Sequence, residues 1–282
     1  MKKTSRFSFL SSGKKESTVV KTLTPETIGY PVQIGNTHHI GERENQQDSF
    51  GISDISNAVL SAHKGIFGVV ADGMGGMADG AEVSSIVSRT MLQYFNEVPS
   101  SGYPELDLLN MLSTANDNVV RFMSGREQSG STVVAVIIHD GKLYWVAVGD
   151  SRIYLIRNGA IMQLNREHVY SVELDEKAAT GEISWETAAG DPKRGALTSY
   201  LGMETLEKID RNYRPVQLLD GDRVLLMSDG IFGVLTDDEI LSAMPYPPQE
   251  SAAMLQEIAL DKQDPNQDNL TAIIFEYWGN PK

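Results

Sequence analysis

Five aspartates lie at or beside the ends of strongly apolar segments, where their carboxylates could hold cations. They are Asp48, Asp72, Asp150, Asp229 and Asp268. An ionised carboxylate at the edge of an apolar core costs free energy unless it is paired with positive charge or fully hydrogen-bonded. Carboxylates that cluster also repel one another, which raises their pKa values unless cations are supplied.

Too few basic residues accompany these aspartates to pair with all of them, since only Arg43 and Arg152 are close in sequence. If the ends of the apolar segments converge, Mg²⁺ or Mn²⁺ is the natural counter-charge, because both prefer oxygen ligands. Taken singly, each aspartate is more often a turn former or a helix cap. A metal site and a set of ordinary turns are both consistent with the residues at this point.

Composition narrows the class of protein. The 282 residues suit one large domain or one domain plus a tail, and 41% of them are hydrophobic, which suffices for a core. The net charge of −14 argues against sequence-independent binding to nucleic acid, which requires basic residues. The absence of cysteine excludes a thiolate metal site and a cysteine nucleophile, and it fits a reducing compartment.

Targeting signals are also absent from the pattern. The apolar stretch near the N-terminus is interrupted by serines and is too short for a signal peptide. No run of about 18 apolar residues predicts a membrane span. We therefore expect a cytoplasmic protein with neither a membrane nor a nucleic-acid partner.

Hydrophobic patterning predicts several helices and a larger number of strands. Helical spacing predicts helices over residues 80–95, 105–123 and 249–260, with a further helix and an irregular excursion within 165–200. Strands are predicted at about 29–34, 66–71, 132–138, 143–148, 153–156, 161–164, 224–227 and 270–277. Asp140-Gly141 and Asn158-Gly159 are strong hairpin signals. Several antiparallel hairpins with a few amphipathic helices favour a layered α+β domain.

Residues 72–76 (DGMGG) resemble the signature of the metal-dependent serine/threonine protein phosphatases, the PPM or type 2C family. Further motifs agree in chain order: 43–48 (RENQQD), 129–132 (SGST), 149–152 (GDSR), 197–202 (LTSYLG), 228–230 (SDG) and 268–269 (DN). The resemblance spans residues 31–277. An ordered series of this kind is far more specific than a single Asp-Gly dipeptide.

The resemblance implies an αββα sandwich, in which helices flank two packed antiparallel sheets, with a metal cleft at one end. In this family pattern Asp72 would bridge two Mn²⁺ or Mg²⁺ ions, and Gly73 would offer its carbonyl to one of them. Asp229 and Asp268 would complete the second site. Asp48 would hold metal-bound water.

Other positions follow the family pattern less closely. The resemblance places Asp150 in a third, weaker metal site and gives Arg43 the role of gripping the substrate phosphate. Gln47 stands where many members have glutamate, and Met74 stands where eukaryotic members carry a histidine proposed as general acid. Gly233 stands where some members have another acid, which bears on the strength of the third site.

The activity implied is that of a protein-serine/threonine phosphatase acting on proteins phosphorylated by a serine/threonine kinase. Two divalent ions can lower the pKa of a shared water and so generate a bridging hydroxide for in-line attack at phosphorus. The alternative is a pseudophosphatase that serves as a regulatory binding module, which retention of the principal acids disfavours. A related phosphatase of a partner-switching system ranks lower. ATP binding is rejected, because no Lys-Ser/Thr follows the glycines as in a P-loop.

The predicted organisation is one domain between two short ends. Residues 1–30 are expected to form a flexible basic tail, residues 31–278 the phosphatase domain, and residues 279–282 the C-terminal end. Within the domain, residues 170–193 match the variable flap of the family, where substrate choice would lie. We expect a monomer.

Overall fold

A computed structural model describes residues 31–75, 77–126 and 129–279 of the chain. The predicted tail, residues 1–30, and residues 280–282 of the predicted C-terminal end lie outside these ranges. Among the described residues, no helix is both long enough and apolar enough to cross a membrane.

The described strands form two sheets in which the named strands pair antiparallel. The first sheet has the order β1 (Val32–His39), β12 (Leu270–Tyr277), β11 (Arg223–Met227), β7 (Arg152–Arg157) and β8 (Ala160–Gln163). The second has the order β10 (Val216–Gln217), β6 (Lys142–Val148), β5 (Val133–His139), β3 (Ile66–Met74) and β2 (Asp48–Ile52). Two short strands extend it: β4 (Gly130–Ser131) pairs with β3, and β9 (Asp210–Arg211) pairs with β6.

Helices cover the outer faces of both sheets. The described helices, in chain order, are α1 (Ala58–Lys64), α2 (Met77–Glu97), α3 (Pro104–Met123), α4 (Tyr170–Ala179), α5 (Trp185–Ala189), α6 (Asp229–Phe232), α7 (Asp237–Ser242) and α8 (Pro248–Asp261). Of these, α4 and α5 pack on each other in a small separate cluster. Buried side chains of α2 and α3 pack on the second sheet, and those of α7 and α8 pack on the first. A third core lies between the sheets. The predicted four-layer αββα sandwich is confirmed.

Strand β3 shows why the central strands read as continuous apolar runs. Phe67 and Val69 belong to the core beneath α2 and α3, whereas Ile66 and Val70 belong to the core between the sheets. Because successive strand side chains point to opposite faces, a strand covered on both faces must be apolar at every position. Gly68 leaves room for the other sheet, since a Cβ there would lie 2.4 Å from the ring of Phe275.

The hairpin predictions are confirmed. Asp140 and Gly141 have φ values of 50° and 69°, and Asn158 and Gly159 have 53° and 75°. Two consecutive positive φ values are the geometry of the tight turn whose twist matches antiparallel strands. Strand β3 runs three residues beyond the predicted end, because Gly73 and Met74 pair with β4.

Strand β1 differs most from its prediction. Only a short strand over 29–34 was expected, but β1 continues to His39 and pairs with β12 along its full length. Its polar residues are accommodated by α8: the Asn36 amide donates to Gln249 Oε1 at 3.2 Å, and Thr37 bonds to Gln256. Polar residues on a covered face therefore hid this strand from pattern analysis.

Candidate metal and phosphate site

A cavity of about 280 Å³ lies at the end of the sandwich where the predicted aspartates meet. Its walls include six of the seven predicted site residues: Arg43, Asp72, Gly73, Asp150, Asp229 and Asp268. The seventh, Asp48, is 5% exposed and stands directly opposite Asp72 in the β2–β3 pairing. The structure thus brings together all seven residues from segments far apart in sequence.

The second sheet positions Asp72 and Gly73 through backbone contacts. The Asp72 amide donates to Thr132 Oγ1 at 3.1 Å, and the Thr132 amide donates to the Asp72 carbonyl at 2.8 Å. The Gly73 amide donates to the Gln47 carbonyl at 3.0 Å. A side chain at Gly73 would bring its Cβ within 2.1 Å of the Gly80 carbonyl oxygen, so this close approach requires glycine.

The first sheet supplies Asp229 and Asp268. Asp229 begins α6 immediately after β11, and Asp268 precedes β12, where its Oδ1 accepts the Asn269 amide at 2.8 Å. Ser228 reaches across to the other sheet, since its hydroxyl donates to Asp48 Oδ2 at 2.7 Å. The acidic residues therefore come from both sheets and face one another at their common end.

Asp150 is held by a tight turn after β6. Gly149 has a φ of 101°, and its amide donates to Nδ1 of the buried His168 at 3.2 Å. The His168 amide returns a bond of 2.8 Å to the Gly149 carbonyl. On the other side of Asp150, the Ser151 hydroxyl bonds to Thr132 Oγ1 at 2.7 Å. These contacts fix the aspartate at the cavity wall.

Arg43 is the basic group at the cavity. Its Nη2 donates to Asp268 Oδ2 at 2.8 Å, and the two side chains are 53% and 38% exposed. An ion pair this exposed contributes only about 0–1 kcal/mol, so it is readily exchanged for another partner. The guanidinium can therefore leave Asp268 for an incoming anion at little cost.

Burial and mutual repulsion raise the pKa of four of the carboxyls. Burial is the main cause in each case. Together with the charges of Asp229 and Asp268, it raises the pKa of Asp48 to about 7, although hydrogen bonds from Thr271 and Ser228 oppose this rise. The pKa of Asp72 is raised well above its usual value by burial and four neighbouring aspartates. Burial and repulsion therefore disfavour the ionised form of these carboxyls, an effect that a bound cation would offset.

The same effects act on the other two carboxyls. Burial, followed by the charge of Asp229, raises the pKa of Asp150 to about 6. Burial and the charge of Asp268 raise the pKa of Asp229, against the bond from the Gly230 amide and the nearby Arg43. A cavity that penalises its own negative charge is one that gains free energy when it binds a cation.

The donor set fits hard divalent cations. Carboxylate oxygens, with a backbone carbonyl, are the ligands that Mg²⁺ and Mn²⁺ prefer. Asp229 Oδ1 is buried and has no hydrogen-bond partner among the described residues, and an incoming cation would satisfy it. Within the described ranges, no three Asp, Glu, His or Cys side chains already stand together in a form that could hold a metal ion.

The raised pKa values predict how the stability of the cation-free protein depends on pH. A carboxyl whose pKa is higher in the folded than in the unfolded state stabilises the fold at low pH, and this stability is lost as pH rises through the folded value. In EDTA we therefore expect Tm to fall as pH rises from 6 to 8, where Asp48 and Asp150 lose their protons. The expected fall is roughly 5 °C or more. Thermal unfolding at stepped pH measures it.

Asp48→Asn is the matched control for this pH dependence. The amide cannot ionise, so the fall in Tm should be smaller in the variant than in the wild type. His38 and His168, whose pKa values are lowered by burial, act with the opposite sign, but they are present in both proteins and cancel in the comparison. Identical slopes for the two proteins would contradict the assignment.

Residues beyond the predicted set also shape the cavity. Thr132, Leu197 and Asn269 line it, and Ser228 anchors Asp48. No role was predicted for these four residues, although each belongs to one of the predicted motifs: Thr132, Leu197, Ser228 and Asn269. For Ser228 and Asn269, the signal that could have revealed them is a polar side chain directly beside an aspartate at a strand end. Thr132 and Leu197 carry no such signal.

Two departures from the family pattern also lie at the cavity. Met74 lines it and has no proton to donate, so this side chain cannot be a general acid. Gln47 lines it too, and its Nε2 is buried without a hydrogen-bond partner in the described part of the chain. The cavity therefore has a neutral amide where many members of the family have a glutamate carboxylate.

Comparison with known proteins shows which family has this sequence pattern. The family model for protein phosphatase 2C matches residues 35–273. Serine/threonine protein phosphatase PstP of Mycobacterium tuberculosis is 31% identical over 215 residues, which are 73% of this chain and 39% of the relative. The chain thus spans well under half the length of that relative.

Solved structures share the architecture. The PPM Ser-Thr phosphatase MsPP from Mycobacterium smegmatis, solved in complex with cacodylate, superposes with a TM-score of 0.69 at 29% identity, over 87% of this chain and 98% of that one. The catalytic domain of PstP in complex with two manganese ions superposes with a TM-score of 0.68 at 24% identity, over 87% and 97%. With a family model that covers most of its length, this chain belongs to the protein phosphatase 2C family.

Proposed function

We propose that this protein is a metal-dependent phosphatase that hydrolyses phosphoserine and phosphothreonine in other proteins. The observation that supports this most strongly is the meeting of five buried or half-buried aspartates from separate segments around one cavity with an arginine at its wall. The acids attract cations, and the cations with the arginine attract phosphate. The comparisons support the same activity.

In the proposed assignment, Asp72, Asp229 and Asp268 hold two Mn²⁺ or Mg²⁺ ions with the carbonyl of Gly73, and Asp150 belongs to a third, weaker site. Divalent cations held there supply a lowered pKa for water and charge neutralisation for phosphate oxygens. The other contributions to hydrolysis come from side chains and backbone groups of the protein.

Arg43 binds the substrate phosphate. Its guanidinium offers paired donors that match two phosphate oxygens, which a lysine ammonium cannot reproduce. Binding requires the guanidinium to exchange Asp268 for the phosphate, and the exposure of that pair makes the exchange inexpensive.

Asp48 orients water at the base of the cavity. Its Oδ2 is fixed by the Ser228 hydroxyl at 2.7 Å, which leaves the carboxyl in one orientation opposite Asp72. Water held by such a carboxyl loses little entropy on reaction, because it is already positioned.

The finer parts of the proposal concern partners and location. The substrates are proteins phosphorylated by a serine/threonine kinase, and residues 170–193, which contain α4 and α5, act as the flap that contacts them. Leu197, four residues beyond this flap, lines the wall of the cavity. We infer a monomeric cytoplasmic protein that binds neither nucleic acid nor membrane.

Metal-dependent hydrolysis is the direct test. We expect hydrolysis of p-nitrophenyl phosphate and of a phosphothreonine peptide with Mn²⁺ or Mg²⁺, no hydrolysis after EDTA, and recovery when Mn²⁺ is returned. Recovery separates loss of the cation from loss of the fold. Activity that survives exhaustive chelation would falsify the metal mechanism.

The pseudophosphatase alternative predicts a different result in the calorimeter. A binding module without catalysis would show phosphopeptide binding but no turnover, with or without Mn²⁺. Titration of the EDTA-treated and dialysed protein with Mn²⁺ distinguishes the two, because retained acids predict heat of binding. Absence of Mn²⁺ binding would favour the alternative.

A further inference from the structure

We propose that Asn269 is the positioning residue that holds the Arg43 loop, defined as residues 40–47, against the aspartates of the first sheet. This inference rests on the proposed function only in its kinetic part. The Asn269 side chain is 3% exposed. Its Nδ2 donates to the carbonyls of Ile40 at 2.7 Å and Asn45 at 3.1 Å, and its Oδ1 accepts the Gln47 amide at 2.6 Å.

These three bonds hold the loop at both ends with one side chain. Ile40 begins the loop, whereas Asn45 and Gln47 close it, so the Asn269 amide spans the segment that carries Arg43. The planar carboxamide has two donors and one acceptor in fixed directions, and this set of partners uses all of them. A carboxylate, an alcohol or an apolar side chain could not make the same set.

Two further contacts of the loop lead to the same strand end, whereas the Gln47 carbonyl accepts the Gly73 amide of the second sheet. The Glu42 amide donates to the Gln267 carbonyl at 2.9 Å. Gly41, with a φ of 63°, lies so close to the Asp268 carbonyl that a Cβ would come within 2.2 Å of its oxygen. The loop thus packs on residues 267–269. In the described structure, Asn269 is the only one of these three whose side chain bonds to the backbone of the loop, since the Asp268 carboxylate bonds to the Arg43 side chain.

Position matters here because the Arg43 side chain itself is exposed. Its ion pair with Asp268 is too exposed to define where the guanidinium sits. The backbone of the loop must define it instead, and Asn269 holds that backbone. Without Asn269 the guanidinium would be displaced from the phosphate position, and a displacement of about 1 Å is enough to reduce transition-state binding by about 100-fold.

Asn212 provides a matched control elsewhere in the fold. It is 8% exposed, its Oδ1 accepts the Trp145 amide at 2.9 Å, and its Nδ2 donates to the carbonyls of Leu143 at 2.9 Å and Arg214 at 3.1 Å. The number and kind of bonds are the same as at Asn269. None of these partners lines the cavity. Asn212→Ala should therefore destabilise the protein to a similar extent without moving Arg43.

The first measurement needs no cation and no substrate. Hydrogen exchange of the EDTA-treated protein should show loss of protection at the Gln47 amide and across residues 40–47 in Asn269→Ala, with residues around Trp145 unchanged. Asn212→Ala should show the reverse. Unchanged protection of residues 40–47 in Asn269→Ala would overturn the inference. If Asn269→Ala does not fold, Asn269→Ser serves in its place: its hydroxyl has one proton and cannot donate to both carbonyls, so protection across residues 40–46 should fall even though the Gln47 amide keeps an acceptor.

The second measurement tests the link to Arg43. With Mn²⁺ present, we expect Asn269→Ala to raise KM for a phosphothreonine peptide by about tenfold or more and to leave kcat within about threefold, whereas Asn212→Ala leaves both unchanged. In the Arg43→Ala background, Asn269→Ala should add nothing to KM, because the residue acts through the arginine. Additive effects, or equal KM values for the two asparagine variants, would refute the positioning role. If the wild-type protein lacks activity but the two asparagine variants show the expected exchange patterns, the proposed function is contradicted and the positioning role of Asn269 is still supported.

Discussion

Asp229→Asn is expected to lower kcat for p-nitrophenyl phosphate by about 1,000-fold or more at saturating Mn²⁺, because it removes a charged ligand and a buried oxygen that has no other described partner. Asp72→Asn should behave alike. The substitution is nearly isosteric, so packing is kept. Because Asp229 is repelled by Asp268, its neutralisation should leave unchanged or raise the Tm of the EDTA-treated protein. Loss of activity without loss of stability is the diagnostic combination.

A control for Asp229→Asn lies on the opposite layer. Asp117 is an exposed residue of α3, and Asp117→Asn removes the same charge far from the cavity. It should retain full activity. Kinetics and thermal unfolding of the wild type, Asp229→Asn and Asp117→Asn test this prediction. Activity of Asp229→Asn close to that of Asp117→Asn would mean that Asp229 does not hold a cation needed for hydrolysis.

Arg43→Ala is expected to raise KM for a phosphothreonine peptide by about tenfold to 100-fold, with a much smaller effect on kcat for the activated ester p-nitrophenyl phosphate. A charge-assisted, paired hydrogen bond to phosphate supplies about 1.5–3 kcal/mol, which corresponds to that range. Arg43→Lys should recover little of the loss, since an ammonium cannot donate to two oxygens in the same plane.

The matched control for Arg43 is Arg89 on α2. Arg89 forms an ion pair of 2.9 Å with Glu82, and the two side chains are 65% and 50% exposed, much like the pair of Arg43 with Asp268. Arg89→Ala removes the same kind of surface pair away from the cavity and should leave KM unchanged. If Arg43→Ala also leaves KM unchanged, Arg43 does not bind the phosphate.

The elements that local sequence determines were predictable. The Asp140-Gly141 and Asn158-Gly159 turns follow from residues that tolerate positive φ, and β3 and β11 follow from their unbroken apolar character. Strand β1 was predicted only at its start, because its regularity comes from eight pairings with β12 and from bonds to α8, more than 200 residues away. No pattern within a short window contains that information.

The site was predictable in its residues but not in its connections. Aspartates at strand ends and a family resemblance identified the acids and Arg43. The contacts that order them join positions distant in sequence: Ser228 to Asp48, and Asn269 to Gln47. These bonds depend on the register of two sheets, which only the folded chain defines. The metal and phosphate roles themselves stay predictions until the experiments above are done.

The division of the acids between the two sheets has a mechanical consequence. Asp72 belongs to one layer and Asp229 and Asp268 to the other, so a cation that all three share would fasten the layers at their seam. The affinity for the cation would then be coupled to the packing of the two sheets, since a ligand that binds only the packed form also stabilises that form. Remote apolar contacts such as Phe275 against Gly68 would thus help to set the affinity for the ion while touching none of its ligands.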